Sequence, residues 1–530
     1  MPSESSPLGA LIAAFLTAGA LAGVAVGARV HVDSLPEDAE RPALLTALAD
    51  AAPWTPGEAL PVLRVLNPFS RPAVEEDERT GAVVAVETPA EPPPDAAAPP
   101  TATPDAAPTS SATAPVGGAA AAPPVAGVPD LASRLPSRPP TLPTPLVDAD
   151  HKGMAPFYAA LARGTGLARA AHYGDSTIAA DGITGTVRRR LQARFGDGGP
   201  GWVDAGLDPQ WSARPDLKTR RSGDWETHSI LLAGGSGRYG YGGVVSKAPD
   251  GGSLTVSAPP PEGKAASPLT HLELWYQAGA GHGTAWLNAD GARVQEAAAA
   301  ADRRDDRRMV ADLPSPAAKV SFGASGAPVP FYGVVLETAG PGVVWDALGV
   351  VGVGTRSFTT YFDKEHLRSQ VAQRVPDLVV VMLGGNELGV PVLQRGDGAG
   401  YATGYRDTLH MLRAGAPNAG CLVVTPLDQG TREGGKPTTK PSLKRLVKVL
   451  RGLAAEEGCA FWDAYAAMGG EGAIVAWTRR KPPLAWTDLL HLSADGQDLV
   501  GQALADAIEA GYDDWTARGG PAAEAAAPKE

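Results

Sequence analysis

Apolar side chains return every four positions at Ile183, Val187, Leu191 and Phe195, a spacing that predicts one helix with a single buried face. The apolar run just before it, residues 167–173, reads as a strand. Similar runs recur downstream. "DLVVVML" (377–383), between Pro376 and Gly384, is apolar almost throughout, as a strand buried on both faces must be. "CLVVTPL" and "CAFWDA", opening at Cys421 and Cys459, repeat the pattern. Between them, "LKRLVKVLRGLAAEEG" sets Leu443, Leu446, Val447, Leu450 and Leu453 on one helical stripe. A last helix is predicted after Ser493, with Leu499, Val500, Ala503, Leu504 and Ile508 inward. Strand and helix alternate, which predicts an α/β domain built on a parallel sheet.

Residues 205–340 break that rhythm. Short alternating segments, "SLTVSA", "HLELWYQ", "TAWLNA", "AKVSFGA" and "FYGVVLE", are separated by Gly- and Pro-rich turns, the pattern of a β-sandwich. Sheet-forming segments flank it on both sides, so it is predicted to be inserted into an α/β domain made of residues 146–204 and 341–515. Trp211, Trp225, Tyr239, Tyr241, Trp275, Tyr276 and Trp286 fall in or beside these segments. Most such rings are expected in the sandwich core, with stacking on a sugar as the alternative use.

Upstream, "LGALIAAFLTAGALAGVAVGA" (8–28) carries no charge and is long enough to span a bilayer as a helix. Glu4 stands where a signal peptide has basic residues, and Arg29 follows the run. Residues 1–33 therefore read as a retained anchor, with a cleaved signal as the alternative, and both place the rest of the chain outside the cytoplasm. Residues 34–90 hold a weakly helical piece, "ALLTALADAA", without an assigned role. Residues 91–145 are nearly all Ala, Pro, Thr, Ser and Gly, which cannot bury enough apolar surface to offset ordering entropy and read as an extended spacer. Residues 516–530 read as a disordered tail.

A net charge of −12 argues against a nucleic-acid partner, which needs a basic face. The densest basic run, Arg188-Arg189-Arg190, reads as a solvated helix face. Two cysteines, Cys421 and Cys459, exclude a disulfide-dense scaffold and a Cys-rich zinc site. On neighbouring strands they would be close enough to bridge; two separate buried thiols is the other reading. The nine histidines form no HxH or HExxH pattern, so neither a metal nor a cofactor is expected.

The chemistry centres on "Gly174-Asp175-Ser176", at the seam between the first strand and the Ile183 helix. In parallel sheets this is where ligands bind, and a serine there has its own N–H at a helix start, free to stabilise an oxyanion. Its hydroxyl is inert without a base. "WTDLLHLSADG" supplies Asp488 and His491 three apart in one loop, and "GGNELG" places Asn386 just beyond a buried strand. "GVVWDALGVVGVG" ends another strand, where Gly352 could present a backbone N–H, with Gly349 and Gly354 as near competitors. His172, beside the serine, reads as a core residue.

In order, Gly174-Asp175-Ser176, a glycine before mid-sheet, Gly384-x-Asn386 and Asp488-x-x-His491 resemble the blocks of the SGNH (GDSL-type) hydrolases. The resemblance covers about residues 146–515 and implies a flavodoxin-like three-layer α/β fold around the inserted module. It implies Ser176 as nucleophile, His491 as base and Asp488 as its orienting acid. Gly352 and Asn386 would be oxyanion donors beside the Ser176 N–H. The string 174–202 is especially similar to the branch with peptidoglycan O-acetylesterases, which also carry a β-rich insertion after the first block. Thr177 replaces the usual Leu, and Asn386-Glu387 replaces Asn-Asp, as in that branch. The expectation is a serine esterase removing O-acyl, above all O-acetyl, groups from a cell-envelope glycan. The alternatives are an O-acetyltransferase using the same triad and a non-catalytic glycan-binding protein on this scaffold.

Overall fold

In the computed structural model, residues 143–206, 213–231, 237–259, 268–433 and 435–520 are described. The predicted anchor, the 34–90 stretch and all but the end of the spacer lie outside them. Among the described residues no helix is long and apolar enough to cross a membrane.

Helix α1 (Ala155–Ala162) leads into β1 (Leu167–Gly174), followed by α2 (Ser176–Ala179) and α3 (Gly182–Phe195). The chain then runs through eleven strands. These are β2 (Gly201–Asp204), β3 (Lys218–Ser222), β4 (Glu226–Ser229), β5 (Val244–Ala248), β6 (Ser253–Ser257) and β7 (Leu269–Ala278). They continue with β8 (Thr284–Ala289), β9 (Ala292–Ala298), β10 (Asp305–Ala317), β11 (Lys319–Ser325) and β12 (Val329–Glu337). It returns as β13 (Gly342–Gly349), paired in parallel with all eight residues of β1. Helices α4 (Thr355–Tyr361) and α5 (Lys364–Arg374) precede β14 (Leu378–Met382), which covers the other side of β1. After α6 (Ala399–Arg413), β15 (Gly420–Val424), two short strands β16 (Gly430–Glu433) and β17 (Lys436–Thr439), α7 (Pro441–Glu456) and β18 (Ala460–Trp462) comes the closing helix α8 (Ala494–Ala517).

The parallel sheet has the order β13-β1-β14-β15-β18. Its side chains alternate between two cores, as the two-residue period of a strand requires. Ala168, Ala170, Leu378, Val380, Leu422 and Val424 face α1, α3 and α8, meeting Phe157, Ile183, Val187, Leu191, Val500 and Leu504. Tyr173, Val379, Val381 and Val423 face α5, α6 and α7, meeting Leu367, Val371, Tyr405, Leu409, Leu446 and Leu450. Helices on both faces make three layers, the expected α/β class.

The intervening strands form two antiparallel sheets, β10-β7-β12-β5-β4, with β2 paired to β12, and β3-β6-β11-β8-β9. Leu272, Leu274 and Val334 of one meet Leu254, Leu287 and Phe322 of the other in a third core. Two details differ from the sequence reading. Residues 201–204, read with the α/β domain, pair antiparallel with β12. β10 was not foreseen, because "DDRRMVADLPSPA" puts charges on its exposed positions and two prolines near its end.

Arg188 corrects the reading of a solvated triplet. It is buried, and its guanidinium donates to Asp181, Asp216 and the Trp345 carbonyl. Arg189 and Arg190 do face solvent, paired with Asp498 and with Asp506 and Glu509. The expected tail begins too early at 516, since α8 runs to Ala517. Cys421 and Cys459 are bridged, with Cα atoms 4.7 Å apart across β15 and the start of β18.

Candidate active site

β1 and α2 meet at Asp175, whose side chain caps the helix by accepting the Thr177 N–H at 2.9 Å. That cap turns the chain sharply after Gly174 and sets Ser176 at the first helical position, where a backbone N–H has no intrahelical acceptor. The Ser176 Oγ lies 3.1 Å from Nε2 of His491. On the other side of the ring, Nδ1 is 2.8 Å from Asp488 Oδ2. The Asp488 carboxylate also accepts the N–H groups of Leu490 and His491 at 2.9 and 3.1 Å. Partial burial alone would raise this carboxyl, but the ring and the two N–H groups outweigh it and hold it below the ordinary carboxylate range. An ionised carboxylate only accepts, so the ring proton sits on Nδ1 and Nε2 is left to accept the serine hydroxyl.

The loop that delivers both residues is closed on itself. Trp486 N–H donates to the His491 carbonyl at 2.9 Å, and Leu489 N–H to the Trp486 carbonyl at 3.1 Å. Leu489 adopts a left-handed φ of 60°, a strained state for a γ-branched residue that surrounding contacts must hold. Its side chain is buried and its carbonyl accepts the Gly430 N–H at 2.7 Å.

Asn386 sits in the 3-10 turn Gly385–Glu387 beyond β14. Its Nδ2 donates to the Val353 carbonyl at 2.9 Å and, more weakly, to Asp175 Oδ2 at 3.3 Å. It thus ties the Ser176 cap to the segment after β13. Gly352 lies in that segment with φ of 81°, which favours glycine, and its open side faces Leu231. Among the described residues no hydrogen bond joins Gly352 to Ser176 or Asn386; Val353 makes the contact instead. Glu387 anchors the same segment, accepting from Thr355 N and Oγ1 at the start of α4 and from the Tyr401 hydroxyl.

Residues 317–499 match the GDSL-like lipase/acylhydrolase family. This is an SGNH hydrolase domain. The match starts within β10 and so leaves out Ser176; the pairing of β1 with β13 and β14 brings that block of the SGNH hydrolase back beside the rest. The fold is similar to a peptidoglycan O-acetylesterase at a TM-score of 0.58 and 25% identity, over 70% of this chain and 99% of that one. An acetylxylan esterase from Geobacillus stearothermophilus matches at 22% identity over 32% of this chain and 73% of that one, with a TM-score of 0.24. A family two carbohydrate esterase from Clostridium thermocellum matches at 12% over 55% and 98%, also at 0.24. Neither of these two likenesses carries weight. No curated protein sequence matches the chain. The SGNH domain makes this chain a serine esterase acting on acyl esters.

The structure joins Ser176, His491 and Asp488 of this hydrolase by hydrogen bonds, and Asn386 is tied to Asp175, the residue before Ser176. His172 is a core residue: its Nδ1 accepts from Trp345 Nε1 at 3.3 Å, and burial pushes its pKa down to about 3, so it stays neutral. Of the module's aromatics, Trp225, Tyr239, Tyr241, Trp275 and Tyr276 are buried, Trp286 lies under Arg293, and Trp211 lies outside the described residues. Sequence reasoning missed Trp486, the exposed tryptophan two residues before Asp488. Its signal was position, since it stands inside the loop that carries Asp488 and His491. It also missed the cap at Asp175, although an Asp immediately before a helix start is a capping signature.

Proposed function

We propose that this esterase removes O-acetyl groups from a cell-envelope carbohydrate, with Ser176 as nucleophile. The observation that carries the reading is the Ser176–His491–Asp488 chain of hydrogen bonds at 3.1 and 2.8 Å, at the start of a helix following a central strand.

His491 Nε2 takes the hydroxyl proton as Oγ attacks the acetyl carbonyl, while Asp488 stabilises the imidazolium and fixes its orientation. The oxyanion meets the Ser176 N–H and the Asn386 amide, which exchanges its long 3.3 Å bond to Asp175 for this one. Collapse expels the sugar hydroxyl, protonated by His491. Water, deprotonated by the same ring, then releases acetate and restores Ser176.

The glycan is supported by the likeness to a peptidoglycan O-acetylesterase and by Trp486, whose exposed ring offers a face for a sugar beside the site. The envelope location is supported by the uncharged stretch 8–28 and by the Cys421–Cys459 disulfide, a bond of oxidising compartments. The oxyanion assignment is tested by Asn386→Ala on 4-nitrophenyl acetate. We expect kcat to fall by roughly 10²–10³-fold with little change in KM. An unchanged kcat would remove Asn386 from the reaction.

A further inference from the structure

A cleft of about 410 Å³ is lined by Leu388, Gly389, Gln394, Thr431, Lys440, Pro441 and Ser442. Two of its walls continue segments already in use. Leu388 and Gly389 follow Asn386-Glu387, and Thr431 follows Gly430, whose N–H holds Leu489 in the loop of the base. The third wall is Lys440 and the first turn of α7.

Lys440 is half-buried, and its Nζ donates to Oε1 of Gln429 at 2.9 Å. Among the described residues it has no carboxylate partner, although the chain holds 58 acidic residues. Arg169, Arg188, Arg214 and Arg374, also withdrawn from water, each hold at least one carboxylate. Burial pulls the Lys440 pKa down with no acidic group opposing it. A half-buried ammonium without a counter-charge loses part of its hydration, and an anion entering the cleft would restore what it lost.

Gln429 also links this ammonium to the turn that carries Asn386. The far end of its amide packs on Gly385, where an added Cβ would come within 2.5 Å of Gln429 Nε2 and 3.2 Å of Asp175 Oδ2. Lys440, Gln429, Gly385 and Asp175 therefore form a packed row ending at the residue before Ser176, whose side chain accepts the Thr177 N–H.

We propose that this cleft is an anion subsite in which Lys440, oriented by Gln429, receives a carboxylate carried by the acylated carbohydrate. The proposal rests on the glycan-esterase reading and narrows it to acidic sugars. Lys440 is a specificity residue here and does not touch the reacting atoms.

The test uses the full chain with 4-nitrophenyl acetate. The inhibitors are the peptidoglycan disaccharide with its free muramic carboxylate and the same disaccharide as the neutral amide. The acid form is expected to inhibit at roughly tenfold lower concentration or better, the worth of one charge-assisted hydrogen bond. Lys440→Met should abolish that acid-to-amide ratio and Lys440→Arg should preserve it. A ratio near one for the unmodified protein, inhibition by neither included, overturns the proposal, and so does a ratio that survives Lys440→Met. Absence of 4-nitrophenyl acetate cleavage would instead sink the esterase reading. Calorimetric titration of the same two disaccharides would then decide the role of Lys440 by itself.

Discussion

Ser176→Ala is expected to lower 4-nitrophenyl acetate hydrolysis by roughly 10⁴–10⁶-fold, the scale of removing a nucleophile from a working triad. The fold should not notice. Ser176 Oγ has His491 as its hydrogen-bond partner, whereas the cap that shapes the turn belongs to Asp175 and survives the change. Alanine also suits a first helical turn. Equal melting temperatures for the two proteins would therefore accompany the loss of rate. Residual activity within tenfold of the unmodified enzyme would mean that another group attacks the ester and that the 3.1 Å contact is incidental.

The second large effect concerns stability. Arg374 ends α5 with its guanidinium buried, donating to Asp346 at 2.8 and 3.1 Å and to Glu337. Glu337 also receives two bonds from Arg169 of β1, and Asp346 accepts the Trp202 N–H from β2. One ionic cluster thus ties the parallel sheet and α5 to the strands of the inserted region. Arg374→Met leaves two buried carboxylates short of a partner, and about 3–5 kcal/mol of stability should disappear at neutral pH, measured by urea unfolding. A loss below about 1 kcal/mol would show that water replaces the guanidinium without penalty.

The same cluster has a pH signature. Burial alone would raise Glu337, but Arg374 and Arg169 hold it at about 2 against an ordinary 4.5. A depressed carboxyl contributes stability that is complete above its unfolded value and is lost as pH falls toward its folded one. The unmodified protein should therefore lose this contribution between about pH 4.5 and 2, and Arg374→Met should lose much less there. A parallel acid dependence in the two proteins would contradict the assignment.

The layout of the α/β layers was legible because its signals are local. A strand buried on both faces, such as Leu378–Met382, has to be apolar at every position, and α7 repeats its leucines at helical spacing. Asp488 and His491 were legible for the same reason, being three residues apart. What escaped depends on distant partners. Arg188 sits in a run of charge, and Asp181, Asp216, 28 residues away, and the Trp345 carbonyl make its burial tolerable. β10 carries charge on its outer face, so its alternation is hidden until β7 pairs with it. Gly352 has the left-handed φ that favours glycine, but the contact with Asn386 belongs to Val353, a detail of the turn that spacing does not reveal. Lys440 gave no signal at all, since a lysine held by an amide and not by a carboxylate is recognised only once its surroundings are known.

The most direct test of the account is acetate release from O-acetylated peptidoglycan by the full chain and by Ser176→Ala. The account predicts acetate from the unmodified protein and none above background from the variant. Cleavage of 4-nitrophenyl acetate with no acetate from the glycan would contradict it, leaving an esterase whose natural ester lies elsewhere.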